Sequence, residues 1–252
     1  MFQEPFARGT SVIHELDPRS KVVVGVSYAF FVALSTRFLT LTGALIISFV
    51  LIGLARLNPG AVAKRAMVVN GLILFFWVVL PITFEGEALF DIGPFPVTRP
   101  GILLSARITL KSNAIFFTFM ALVESMSAVT LGHTLNRLRV PEKVVHLFLM
   151  TYRYVFVVEE EFSRLLRAAK IRGFRPKTTF HTYKTYAYLL GMLLVRASVR
   201  AERVQQAMAC RGFRGKFYCL ADFSWSRRDC LWCALMTGLL IVLVMLEWTT
   251  RV

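Results

Sequence analysis

Stretches without a single charged side chain constrain this sequence more than any other feature in it. None occurs from Phe38 to Leu54, from Met67 to Pro81, or from Leu231 to Leu246. Runs of that length either fill a large core or cross a bilayer, and inside lipid the unmet backbone groups force them to be helical. Composition favours the bilayer: 56% of the 252 residues are hydrophobic and 22 are Phe, well above a soluble domain. Two further runs, Val22 to Ser35 and Gly101 to Val123, bring the expected number of spans to five.

The first of these runs is short, so its helix is expected to begin near Pro18 and to reach Thr36 or beyond. Asp17 suits the cap and Pro18 the first turn. The residues before it, Met1 to Lys21, show no apolar core or small-residue cleavage site, so the first span is expected to direct insertion itself. The Gly101–Val123 run carries Arg107 and Lys111 on one helix face, with Asn113 and Glu124 adding polarity. Charges there are costly, and they read as an internal salt bridge or a snorkelling pair in the outer half of the span, not as a transport path. The apolar period continues through Met126 and Leu131, which predicts one long tilted helix running into the next region.

Loop charge sets the orientation. Arg56, Lys64 and Arg65 lie between the second and third runs, whereas Glu85, Glu87 and Asp91 follow the third with only Arg99 as a basic residue. Arg227 and Arg228 precede the last run and Glu247 follows it, with Trp225 and Trp248 at the expected interfaces. The pattern places the N-terminus inside and the C-terminus outside. It also accounts for the formal charge of +15 without nucleic acid.

The block between the fourth and fifth runs is different. Residues 132 to 230 hold 19 Lys and Arg against 7 Asp and Glu. Two helix-compatible segments lie within it. One repeats Val144, Phe148, Tyr152, Val155, Phe162, Leu165 and Ala169; the other repeats Tyr186, Leu190, Leu193, Ala197, Val204 and Met208. Steps of three and four predict one apolar stripe on each. Neither segment can span: the first is charged throughout, and the second is uncharged only from Thr185 to Val195, before Arg196, Arg200 and Arg203. Both segments run into the same phrase, Arg172-Gly173-Phe174 and Arg211-Gly212-Phe213. Gly after the last periodic residue is a left-handed helix stop, and a basic residue suits the carbonyl end. One such end is ordinary capping; a pair in a basic, non-spanning block reads as a docking device for something acidic.

Catalytic chemistry is not legible. No phosphate loop, dinucleotide fingerprint, H-E-x-x-H or G-x-S-x-G is present. His14, His133, His146 and His181 are scattered, and Glu159 to Glu161 reads as a solvated or salt-bridged face. Cys210, Cys219, Cys230 and Cys233 lack zinc-ligand spacing and read as structural thiols.

With these features in place, the chain resembles the transmembrane coupling component of energy-coupling factor transporters, most closely the cobalt-type CbiQ family. The resemblance rests on Leu16-Asp17-Pro18-Arg19-Ser20-Lys21 as the family's N-terminal motif, and on Ile171-Arg172-Gly173 and Cys210-Arg211-Gly212 as its two coupling motifs. Ile171 and Cys210 stand where Ala is often found. The family implies an all-α polytopic membrane protein with five transmembrane helices and a cytoplasmic helical coupling region. The corresponding divisions are a four-span region with its lead-in (1–131), the coupling region (132–228) and a final span (229–252). It further implies a noncatalytic subunit in the bacterial inner membrane that transmits ATPase closure to a separate integral-membrane, substrate-specific subunit. Two copies of a cytoplasmic ATPase would bind ATP and Mg, engaging Arg172, Gly173 and Phe174 at one helix end and Arg211, Gly212 and Phe213 at the other. Co or Ni would bind the substrate-specific subunit, with or without a small auxiliary membrane subunit, and this chain would hold no cofactor or metal. A permease half of a conventional ATP-binding-cassette importer is the alternative; a basic anchor for RNA or acidic lipid is the third class.

Overall fold

Local capping signals set where the helices at Pro18 and Pro59 start. In the structure, a computed structural model, residues 11–84, 88–92, 95–213, 215 and 226–249 are described. Glu85, Glu87, Arg214, Cys219 and Trp225 lie outside them. After a single turn, α1 (Val12–Glu15), come α2 (Pro18–Leu34), α3 (Phe38–Ala55) and α4 (Pro59–Thr83). The Asp17 carboxylate accepts the Arg19 N–H at 2.9 Å with Pro18 in the first turn, and Asn58 does the same for Gly60 at 3.0 Å ahead of Pro59. A two-stranded antiparallel hairpin follows, β1 (Ala88–Ile92) with β2 (Phe95–Thr98), pairing Ile92 with Phe95 and Ala88 with Thr98. Then come α5 (Arg99–Leu122), α6 (Ala128–Arg137), α7 (Glu142–Ile171), α8 (Phe180–Cys210) and α9 (Arg227–Thr249).

The described chain divides into two compact units, one holding residues 11–127 and 226–249, the other residues 128–213. In the first, α3 and α5 make the closest pair, flanked by α2, α4 and α9. Its apolar core includes Leu51, Phe117, Met120, Leu122 and Met236, with a second cluster around Tyr28, Val32, Leu41 and Leu243. A buried hydroxyl node joins three helices: Ser48 lies within 3.0 Å of the Ala44 and Ala114 carbonyls and of Thr118, and Tyr28 donates to Ala44 at 2.5 Å. In lipid, such inter-helix hydrogen bonds and close contacts stand in for a hydrophobic driving force. A reciprocal amide pair, Asn70 with Asn113, ties α4 to α5 at 2.9–3.0 Å.

The structure corrects the expected five spans. Among the described residues, four helices are long and apolar enough to cross a membrane: α3, α4, α5 and α9. α2 has 17 residues. At the α-helical rise this gives roughly 25 Å against a hydrocarbon core of about 30 Å. Its first turns also hold Arg19, Ser20 and Lys21, so the fifth span drawn over Val22–Ser35 is withdrawn. α2 packs alongside α9, with Asp17 bonded to Asp229 at one end and Ser35 to Glu247 at the other.

Two smaller expectations change as well. The long helix through Met126 and Leu131 does not form, because α5 stops at Leu122 and α6 begins at Ala128. The Ser125 hydroxyl takes the Leu122 carbonyl at 3.0 Å, and Ser125 and Met126 are buried, so the break is held in place. Lys111 does not pair with an acid; its Nζ donates to the Ala33 carbonyl at 2.8 Å, at the open end of α2. Arg107 lies over the Phe38 ring at 5.2 Å, and among the described residues neither cation forms an ion pair.

Candidate functional site

Residues 128–213 form a helical unit built on α7 and α8. The pair is antiparallel: Phe174, just past α7, stacks edge-on against Tyr186 early in α8 at 5.6 Å, and Phe213, just past α8, meets His146 early in α7 at 5.3 Å. Between those ends, Glu161 is hydrogen-bonded to Arg196 and lies 3.8 Å from Arg200. The Arg196 hydrogen bond and the surrounding Arg charges hold the Glu161 carboxyl below the ordinary glutamate range, against the opposing effect of desolvation. The two helices enclose a groove of about 640 Å³ lined by Met150, Tyr154, Val157, Leu193, Ala197 and Val204 among others.

The single stripe expected on α7 is corrected by its two neighbours. His146, Met150, Tyr154 and Val157, which the periodic reading passed over, line the groove shared with α8, while Val144 and Val155 stay exposed. Phe148 and Leu149 lie instead against α6, where a Cβ added to Gly132 would sit 2.5 Å from a Leu149 methyl. On α8 the stripe holds at Leu193, Ala197, Val204 and Met208, and Leu190 is exposed.

The two helix ends share one geometry. Gly173 has φ +88 and Gly212 has φ +72, both in the left-handed region. Past α7, Gly173 donates to Lys170 at 3.0 Å and Phe174 to Ala169 at 3.1 Å; past α8, Gly212 donates to Ala209 and Phe213 to Met208, each at 3.0 Å. These are two complete Schellman caps, with Arg172 and Arg211 at the cap positions. A Cβ at either glycine would meet nothing within 4 Å, so backbone conformation alone requires glycine there. Arg172, Gly173, Arg211 and Gly212 are exposed, whereas Phe174 and Phe213 are half-buried and fasten each end to the other helix. Among the described residues, neither Arg172 nor Arg211 has a side-chain hydrogen bond or ion pair. α7 is 30 residues long, so the two caps stand roughly 45 Å apart at opposite ends of the pair.

The N-terminal motif belongs to the other unit and is mostly interior. Asp17 and Lys21 are buried, the latter 1% exposed. Lys21 Nζ donates to the His14 carbonyl at 3.3 Å. Burial pushes its pKa down to about 8, opposed by the nearby Asp229 and Asp17 charges. Arg19 is 4.0 Å from the Asp17 carboxylate, and Pro18 occupies the first turn of α2. Asp229, which sequence reasoning missed, accepts the Asp17 N–H and the Ser226 N–H, both at 2.8 Å. Ser226-x-x-Asp229 was the available signal, an acidic relative of the capping box. Glu247 was read only as a charge flanking the last run; it is buried, accepting from Ser35 at 2.6 Å and from the Thr36 N–H at 3.0 Å. Among the described residues, no group of three or more His, Cys, Asp or Glu is placed to hold a metal ion.

The structure thus defines a helical membrane protein with two matched, solvent-facing helix ends on a non-spanning unit. The sequence matches the CbiQ family, described as cobalt transport protein, over residues 9–219. The chain belongs to that family. It is similar to the energy-coupling factor transporter transmembrane protein EcfT of Acidaminococcus fermentans, 26% identical over 95% of this chain and 94% of that one. The protein of the same name from Bacillus subtilis is 24% identical over 96% and 93%, and that from Brevibacillus brevis 28% over 83% of each. The chain is thus a noncatalytic transmembrane coupling subunit of an ATP-driven importer of the energy-coupling factor type.

Proposed function

We propose that the two Schellman-capped ends are the contacts through which ATPase closure reaches the membrane. Arg172 and Arg211 enter acidic grooves on two copies of a cytoplasmic ATPase, one end to each copy. The observation that carries this reading is the duplicated cap: the same Arg-Gly-Phe geometry, exposed, at opposite ends of one antiparallel pair. Arg suits the task because its planar fork of donors meets carboxylates or carbonyls in a defined geometry. The partner ATPases hold ATP and Mg. A separate membrane subunit captures the substrate, and the family description favours cobalt. Residues 128–213 then lie on the cytoplasmic face of the bacterial membrane.

The test is a pull-down of ATPase subunits with Co²⁺ uptake for the parent, Arg172→Ala, Arg211→Ala and the double variant. Each loss removes a charge-assisted contact of about 1.5–3 kcal/mol, which weakens attachment about tenfold or more. A double variant that binds its ATPases and transports like the parent refutes the paired mechanism. Uptake of Ni²⁺ but not Co²⁺ by the intact complex reassigns the substrate while leaving the coupling role in place. A conventional permease, by contrast, would purify and transport without any separate substrate-capturing membrane subunit.

A further inference from the structure

The described chain leaves the membrane unit after Ser127, and its return leads into Ser226 at the head of α9. On the membrane-unit side, both attachments end on an acidic side chain that grips a different helix. At the exit, the last turn of α5 is locked into the core, with Met120, Ala121 and Leu122 at most 1% exposed. Two residues on, Glu124 forms an ion pair with Arg65 in the second turn of α4. Burial raises the Glu124 pKa, and the Arg65 charge works against that rise. At the return, Asp229 is 2% exposed and bridges two backbone donors, Ser226 N–H and Asp17 N–H, so the head of α9 is tied to the head of α2. Lys21 lies buried beneath this bridge as its compensating cation. The N-terminal motif thereby acquires a role that local capping of α2 does not exhaust.

We propose that Asp229 and the Arg65–Glu124 pair are positioning residues for coupling: they fix the two points at which movement of residues 128–213 acts on the membrane helices. A lever transmits only through a fixed fulcrum. With Glu124 held by α4 and Asp229 by α2, displacement of the coupling region must move those helices together with the ends of α5 and α9. With either grip released, the helix that it held no longer follows the movement. The inference rests on the coupling role of the family and not on how Arg172 and Arg211 dock. Failed docking lowers ATPase recovery, whereas failed anchoring lowers transport per ATP.

The experiment uses the complete transporter in proteoliposomes and measures ATPase recovery, ATP hydrolysis and Co²⁺ uptake. The variants are Asp229→Asn, Glu124→Gln, Glu124→Arg and the exchange Arg65→Glu with Glu124→Arg. Expected is full ATPase recovery and continued hydrolysis, with uptake per ATP reduced by about fivefold or more in the three single variants. The exchange should recover most of the loss seen in Glu124→Arg. A half-exposed pair carries little of the overall stability, so the Glu124 variants decide the matter even where Asp229→Asn fails to fold. Unchanged uptake per ATP in Glu124→Gln and Glu124→Arg overturns the proposal, as does an exchange variant no better than Glu124→Arg alone.

Discussion

Replacing the glycine at one of the two caps tests whether helix-end geometry, rather than composition, makes the proposed docking surface. Gly173 and Gly212 sit at φ +88 and +72, and a Cβ at either would meet open space. The cost of substitution is therefore purely conformational, about 1–2 kcal/mol for an ordinary L-residue in the left-handed region. Asn tolerates that region better and serves as an alternative cap residue, so it should cost less. A β-branched residue such as Val should cost the most. If the strained cap unwinds, the hydrogen bonds to Ala169 and Lys170, or to Met208 and Ala209, are lost and the neighbouring Arg leaves its position. A deficit of one or two kcal/mol corresponds to about a 5–30-fold change in the fraction properly formed. The caps stand at opposite ends of the pair and share no partner, so their effects should add. The assay is ATPase binding to the purified chain in detergent for Gly→Asn, Gly→Ala and Gly→Val at each site, with circular dichroism to confirm retained helicity. Binding should decline in the order Gly, Asn, Ala, Val. Equal loss for Asn and Val would show that the partner needs close approach, not a left-handed turn, and no loss at all would remove the caps from the mechanism.

Glu161 contributes its stabilisation fully above the ordinary glutamate pKa of about 4.3, and the contribution is lost as pH falls through its depressed folded value. Glu161→Gln should therefore flatten the acid limb of thermal stability against pH; identical profiles for parent and variant would leave the Arg196 pairing without a role. Ser48→Ala should lower thermal stability in detergent by about 1–2 kcal/mol, since Ser48 is fully buried and bonded across α3 and α5; an unchanged melting curve would mean Thr118 and Tyr28 compensate completely. For orientation, a cysteine label at residue 90 should react with an impermeant reagent in intact cells while one at 177 should not, and outside labelling at 177 would overturn the cytoplasmic placement of the docking ends.

Much of the candidate surface was legible because its causes are local. A Schellman cap is written in consecutive residues, so Gly173 and Gly212 announced both stops, and Asp17-Pro18 announced the start of α2. Charge-free runs likewise identified α3, α4 and α9 as membrane helices, and α5 was legible from its long apolar run despite Arg107 and Lys111, since solvation in lipid depends on composition over a single segment. Only tertiary structure decided that α2 lies along α9 and that α7 divides its packing between α6 and α8, because apolar periodicity marks a face without naming its neighbour. It also decided that Asp229 closes on a backbone N–H 212 residues away and Glu124 on an arginine 59 away. Nothing in the flanking sequence of either acid encodes its partner, which the folded arrangement of helices alone brings within hydrogen-bonding reach.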